Sequence, residues 1–179
     1  PYSIWISEIM LQQTQVKTVI PYFNKFIKKY PNLEALLQAS EDEILAQWSG
    51  LGFYRRAKNI YKACRVINKD FNNKLPTNIK DLESLPGIGR STAGAIMSIA
   101  FNEGHPILDA NVKRVLGRYK KISFKTENEK QKKLWIISEK LTPNKESFEY
   151  TQGIMDLGAT NCSKSKPNCG ACPVSNDCN

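Results

Sequence analysis

Apolar residues recur at helical spacing along almost the whole chain. Val16, Val19, Ile20, Phe23, Phe26, Ile27 and Tyr30 follow steps of 3, 1, 3, 3, 1 and 3, the pattern of one helix face. Pro21 lies inside that run and predicts a kink, or a helix starting near it. Ser40 and Glu43 form a capping-box pair ahead of Ile44, Leu45 and Trp48. Ala57, Ile60, Cys64, Ile67 and Phe71 make a second apolar stripe, in a segment crowded with Arg55, Arg56, Lys58, Lys62 and Arg65. Thr77 is placed to cap a short helix that ends before Pro86. Further helices are predicted over Ser91–Ala100, Asn111–Tyr119, Glu127–Leu141 and Ser147–Ala159. No alternating strand pattern or hairpin dipeptide stands out, so the expected fold is all-α. The polar stretch Lys120–Lys133 is expected to be a surface connection.

Composition narrows the class. Of 179 residues 41% are hydrophobic, ordinary for a globular protein. The longest uncharged run, Ser91–Asn102, falls well short of the roughly 18 apolar residues of a membrane span. No secretory signal opens the chain. It starts at Pro1 rather than Met, as expected of a trimmed fragment. Lys and Arg number 26 against 17 Asp and Glu, a net charge of +9 that favours a polyanionic partner.

Four of the five cysteines crowd the C-terminal end. Cys162, Cys169, Cys172 and Cys178 are spaced C-x6-C-x2-C-x5-C. Four thiolates on so short a loop can surround zinc or a [4Fe-4S] cluster. Zinc sites favour two tight pairs, and only one is present, so the larger cluster fits the unequal loops better. Disulfides are disfavoured by the odd fifth cysteine and the missing export signal. Cys64 sits on an apolar stripe and reads as a small buried hydrophobe.

Leu85-Pro86-Gly87-Ile88-Gly89-Arg90-Ser91 lies between two predicted helices. Gly87 and Gly89 allow a sharp turn that exposes backbone N–H groups, and the following helix N-terminus adds partial positive charge. Such a site suits a phosphate. With Thr92-Ala93 behind, the segment is similar to the helix-hairpin-helix motif that grips a DNA backbone.

Three more stretches sharpen the picture: Ser7-Glu8-Ile9-Met10-Leu11-Gln12-Gln13-Thr14-Gln15-Val16, Gly50-Leu51-Gly52-Phe53-Tyr54, and Ile107-Leu108-Asp109-Ala110-Asn111-Val112-Lys113-Arg114. Together with the hairpin and the cysteines, and in the same order, they resemble the MutY-type adenine DNA glycosylases over the whole chain. The resemblance implies a two-lobed helix-hairpin-helix glycosylase. Residues 1–103 would form the hairpin lobe and 104–179 the lobe bearing a [4Fe-4S] loop over 162–178. The active site would lie in the cleft, with Glu8 on one wall and Asp109 on the other. Related endonuclease III enzymes carry a lysine nucleophile just after the hairpin. Ser91 stands there and has no amine to form an imine, which implies a monofunctional enzyme that hydrolyses only the base–sugar bond.

That chemistry needs a proton for the leaving purine and negative charge beside the cationic sugar. Glu8, among Ile4, Trp5, Ile9 and Met10, is the acid that the resemblance assigns to adenine N7. Burial there is expected to keep it protonated. Asp109 is an N-cap by its position, and the resemblance places its carboxylate beneath C1′. Asn111 matches an asparagine near the reacting sugar. Ala110 replaces the family's usual glycine. The adenine must be flipped out of the duplex, and the resemblance makes Gln13 and Phe53 the wedge that fills the gap. Phe53 stands where tyrosine is usual and keeps the ring without the hydroxyl. Asp156 falls where the resemblance places an acidic residue at the adenine pocket, and Ser91 is the other expected pocket residue. Arg90, Lys113 and Arg114 are the expected phosphate contacts, and Lys164 and Lys166 are expected to ride on the cluster loop. Trp48 and Tyr54 read as core, and His105 as a loop residue.

The expected partner is double-stranded DNA with adenine opposite 8-oxoguanine or guanine, bound by a monomer. The expected compartment is the bacterial cytoplasm, or the nucleus or mitochondrion of a eukaryote. Relative to the family, a first helix before Pro1 and an 8-oxoguanine-recognising domain after the cysteines are missing. The competing readings are an endonuclease III-like enzyme for damaged pyrimidines, a non-catalytic DNA-binding module, and a zinc-stapled interaction domain.

Overall fold

The computed structural model describes residues 1–178. Ten α-helices carry the chain: α1 (Tyr2–Leu11), α2 (Val16–Lys29), α3 (Leu33–Leu37), α4 (Glu41–Trp48), α5 (Arg55–Asp70), α6 (Ile79–Ser84), α7 (Arg90–Phe101), α8 (Ala110–Tyr119), α9 (Glu127–Leu141) and α10 (Ser147–Asp156). A π-helical turn (Leu157–Asn161) and two 3-10 turns (Cys169–Ala171, Ser175–Asp177) follow. No strand occurs among the described residues. No described helix is long and apolar enough to cross a membrane. The chain divides into two compact units, Pro1–Ile96 and Met97–Asn179.

The first unit is built on α1, which is apolar nearly all round. Trp5, Ile6, Ile9 and Met10 are buried there, and α1 packs on α2 and α5. Burying each such side chain contributes about 1.5–3 kcal/mol. Phe26 of α2 meets Tyr30 and Trp48 edge-on, with ring centroids 5.1 and 6.2 Å away. The α5 stripe is buried at Ala57, Ile60, Cys64 and Ile67. The capping box forms as expected: Ser40 Oγ accepts from the Glu43 N–H, and the Glu43 carboxylate accepts from the Ser40 N–H.

The structure departs from the sequence expectations at several points in this unit. The α2 stripe is only partly buried: Val19, Phe26 and Tyr30 are inside, whereas Val16 and Ile20 are 58% and 52% exposed. The helix starts five residues before Pro21 and runs through it. The proline leaves the Lys17 carbonyl without its helical donor, and Lys17 is exposed, so water can supply one. Asn78, not Thr77, caps α6, its Oδ1 accepting from the Asp81 N–H at 3.0 Å. Tyr54 is 47% exposed at the start of α5, whereas Trp48 is fully buried in the core as expected.

In the second unit α8 packs against α9, α10 and the π-helical turn. Val112, Val115, Leu116, Leu134 and Ile154 are buried, and Ser138 Oγ donates to the Ile107 carbonyl at 2.7 Å. His105 lies in the loop between α7 and α8 as expected. The connection expected over Lys120–Lys133 ends at Thr126, whose side chain caps α9 and starts the helix at Glu127.

Candidate active site and nucleic-acid interface

The hairpin between α6 and α7 is anchored by Leu85 and Ile88, both buried, and presents Gly87, Gly89 and Arg90 to solvent. Gly87 takes φ +84°, and a Cβ there would lie 2.7 Å from Asn59 Cβ. Glycine is therefore required twice over at this position. Around Gly89 a Cβ would meet nothing within 4 Å, so its bareness leaves the turn open to an approaching group. Helix α7 begins at once, which brings the positive end of its dipole to the exposed turn. Ser91 is half-buried in that first helical turn.

Two other turns of this unit carry wedge candidates. Gln13 follows α1 at φ +57°, and Phe53 precedes α5 at φ +50°. Side chains rarely adopt this left-handed region, at a cost of about 1–3 kcal/mol each. Gln13 is exposed, and Phe53 is 57% exposed. Glu8 is half-buried on α1, one turn from Trp5 and beside Ile9.

These pieces are joined by two residues that the sequence did not single out. Gln12 Nε2 donates to the Gly87 carbonyl and to Thr92 Oγ1, each at 3.2 Å, which ties the end of α1 to the hairpin. Arg56 is buried. Its Nη1 donates to the carbonyls of Met10 and Gln12, with a longer contact to that of Ile9 at 3.3 Å. Its Nη2 donates to the Gly52 carbonyl at 3.2 Å, which also accepts from Trp48 Nε1 at 3.0 Å. The guanidinium lies 5.2 Å from the Phe53 ring centroid and 5.5 Å from that of Trp48. Burial pulls the Arg56 pKa down from its ordinary value, yet a guanidinium stays charged in proteins. The available signal was positional: residues 56, 60, 63 and 67 share one face of α5, so an arginine stood on the apolar side.

In the second unit Asp109 caps α8, its Oδ1 accepting from the Val112 N–H at 2.7 Å. Its carboxylate is half-buried at a helix N-terminus, where negative charge is favoured. Asn111 Oδ1 accepts from Arg114 Nη2 at 2.9 Å. Arg114 also donates from Nε to the Cys162 carbonyl at 2.7 Å and from Nη2 to the Gly158 carbonyl. Its guanidinium is thus turned toward the cysteine loop. Arg118, also not singled out by sequence, donates from Nη1 to Cys162 Sγ at 3.4 Å and to the Ser163 carbonyl at 2.8 Å. Its Nη2 reaches the Lys164 carbonyl at 3.0 Å. Lys113 lines a groove of about 420 Å³ between α8 and α9, shared with Lys130, Phe124 and Leu134. Asp156 is exposed at the end of α10.

The structure joins Asn111 to Cys162 through Arg114, while Asp109 caps the start of the same helix. The four clustered cysteines form no disulfide, with Cys162 and Cys172 half-buried and Cys169 and Cys178 exposed. Among the described residues no three His, Cys, Asp or Glu side chains converge as a metal site. The donor chemistry nonetheless suits a thiolate-bound metal: four unpaired thiols lie on one short loop that α8 holds at Cys162.

An all-helical fold with a glycine hairpin between two helices, a capping aspartate further on and a terminal cysteine loop defines a class of DNA-repair proteins. Residues 6–140 match the HhH-GPD superfamily of base excision DNA repair proteins, and the chain belongs to that superfamily. It is 51% identical over 178 residues to the adenine DNA glycosylase of Buchnera aphidicola subsp. Schizaphis graminum, covering 99% of this chain and 51% of that protein. It is 38% identical to the human adenine DNA glycosylase, covering 99% of this chain and 33% of that one. The chain spans about half the length of the bacterial relatives it matches. Among solved structures, a thermostable thymine-DNA glycosylase superposes with a TM-score of 0.88 at 34% identity, covering 99% of this chain and 82% of the other. A trapped endonuclease III–DNA covalent intermediate superposes with a TM-score of 0.81 at 26% identity, covering 98% and 81%.

Proposed function

We propose that this chain is the catalytic core of a monofunctional adenine DNA glycosylase of base excision repair. Its substrate is adenine mispaired with 8-oxoguanine or guanine. The observation that carries this reading is 51% identity to an adenine DNA glycosylase over 99% of the chain. Ser91 supports it, because a serine after the hairpin cannot form the imine of a lyase.

In this reading the monomer binds duplex DNA through backbone N–H groups of Gly87 and Gly89 and through Arg90 and Lys113. Gln13 and Phe53 fill the space the adenine vacates. Ser91 and Asp156 border the adenine pocket. Glu8 protonates the departing base at N7 and then activates water. The Asp109 carboxylate stabilises the cationic sugar at C1′, and Asn111 orients it. Arg114 also meets phosphate, and its bond to Asn111 at 2.9 Å holds that side chain in place. Cys162, Cys169, Cys172 and Cys178 would hold a [4Fe-4S] cluster, which supplies a structural pin and no hydrolytic step. Lys164 and Lys166 on that loop meet the backbone. The protein works wherever its DNA lies, in a bacterial cytoplasm or a eukaryotic nucleus or mitochondrion.

The thymine-DNA glycosylase of similar fold supports a second reading, in which the excised base is thymine. Duplexes carrying adenine opposite 8-oxoguanine, adenine opposite guanine, and thymine opposite guanine decide between them. Strand cleavage by hot alkali is expected only after incubation of the two adenine duplexes. Cleavage of the thymine duplex alone would establish the second reading. Strand cleavage without alkali, with a borohydride-trapped adduct, would show lyase chemistry and remove the role given to Ser91.

A further inference from the structure

We propose that Arg56 is the positioning residue that sets the two wedge side chains, Gln13 and Phe53, against each other and against the hairpin. The inference rests on the wedge role given to those residues above.

The geometry leads there from the carbonyls outward. Helix α1 ends with its last carbonyls lacking helical donors, as every helix does. The Arg56 guanidinium fills that end, donating to the Met10 carbonyl and to that of Gln12, the residue just before Gln13. Its other nitrogen takes the Gly52 carbonyl, just before Phe53. One rigid planar group therefore fixes the chain immediately ahead of both strained residues. The same group lies against the Phe53 ring at 5.2 Å, and the Arg56 N–H donates to the Phe53 carbonyl at 2.9 Å. Gln12 extends the frame to Gly87 and Thr92. Hairpin, first wedge and second wedge are thus bolted to one buried cation.

Among the described residues main-chain carbonyls, not a carboxylate, meet that charge. A structural arginine is commonly paired with an acid, and one whose two terminal nitrogens go to the end of α1 and to the turn ahead of Phe53 is suited to orienting them. Lysine is a poor substitute, because an ammonium has no planar fork to span both carbonyl sets.

The test uses a duplex with 2-aminopurine opposite guanine, whose fluorescence rises when the base leaves the stack. The unmutated chain is expected to raise it, and Gln13→Ala and Phe53→Ala to reduce the rise. Arg56→Lys is expected to lower extrusion about tenfold, the effect of losing a charge-assisted hydrogen bond. Affinity for unmodified duplex, set by phosphate contacts, is expected to stay within about twofold. Arg56→Lys added to Phe53→Ala is expected to cost less than the two single losses combined, because part of the Arg56 effect acts through that ring and the rest through Gln13.

Parental extrusion by Arg56→Lys overturns the inference, as does equal loss of extrusion and duplex binding, or full additivity with Phe53→Ala. If circular dichroism shows that Arg56→Lys is unfolded, Trp48→Phe takes its place, removing the second donor to the Gly52 carbonyl. Reduced extrusion with duplex binding kept then supports the inference, and unchanged extrusion overturns it. A parent that gives no rise, or wedge variants that extrude as well as the parent, overturns the wedge reading and this inference with it. Failure at Arg56 with the wedge variants impaired leaves the wedge reading standing.

Discussion

Glu8 and Asp109 are given different tasks on one nucleotide, and isosteric substitutions separate them. Glu8→Gln keeps the shape and cannot supply a proton. Asp109→Asn keeps an oxygen for the Val112 N–H and removes the charge. Each is expected to lower single-turnover excision by roughly 10²–10⁴-fold, with helical content and duplex binding retained. Cys64 has the opposite character. Burial pushes its thiol from the ordinary 9.0 up to about 11. In metal-free folded protein at neutral pH a thiol reagent is expected to modify the four loop cysteines quickly, and Cys64 only on unfolding. The unfolded thiol ionises first, so the contribution of Cys64 to stability is complete below pH 9.0 and declines as pH rises toward about 11. Asp109 was legible in the sequence because an aspartate ahead of a helical pattern announces its cap. Arg56 was not. It stands in a basic crowd with Arg55, Lys58, Lys62 and Arg65, and charge argues for the surface; only its step to Ile60 and Ile67 marks it as inward.

At the scale of elements, periodicity works where one face is apolar and fails where that contrast disappears. Helix α1 is apolar nearly all round and α3 has only five residues, so neither shows a repeat to read. The α6 cap was displaced by one residue because threonine and asparagine are both good caps, and only hydrogen-bond register chooses Asn78. The contact of the π-helical turn with α8 is a tertiary fact with no local signature. A Cβ at Gly158 would lie 2.6 Å from Asn111 Cβ and 3.1 Å from its Cα. Gly158→Ala is therefore expected to push the start of α8 aside and lower excision by about 10²-fold, the usual result of an ångström-scale misplacement. Gly153→Ala is the control, since it sits exposed within α10 with nothing near. That variant is expected to keep its activity and gain about 0.5–1 kcal/mol in urea unfolding.

For the molecule as a whole, the net charge of +9 suits it to the DNA partner proposed above. Binding to undamaged duplex is expected to weaken linearly in log Kd against log salt, as counterion release requires. Excision from the saturated complex is expected to be far less sensitive. A binding constant that ignores salt would show that the surplus charge faces away from the nucleic acid. The helical class was legible because most segments declare it independently. The division between Ile96 and Met97 was not, because it falls inside α7, where neither composition nor a breaker residue marks a boundary.

The cysteine loop is already closed by its own hydrogen bonds. The Asn168 N–H donates to the Asn161 carbonyl at 2.9 Å, and Asn161 Nδ2 reaches the Ala171 carbonyl at 2.9 Å. Arg114 and Arg118 fasten the loop's start to α8. Folding of the polypeptide therefore removes part of the chain entropy that four scattered donors would otherwise lose on meeting a metal. Small zinc-finger domains differ, because in them metal capture and folding are one event. Here the two events are separable. After treatment with a chelator that would remove a loop-bound metal, the far-ultraviolet helical signal and the main unfolding transition are expected to persist. A coil-like spectrum in the metal-free protein would show instead that the metal, not the arginines of α8, shapes the loop's end of the molecule.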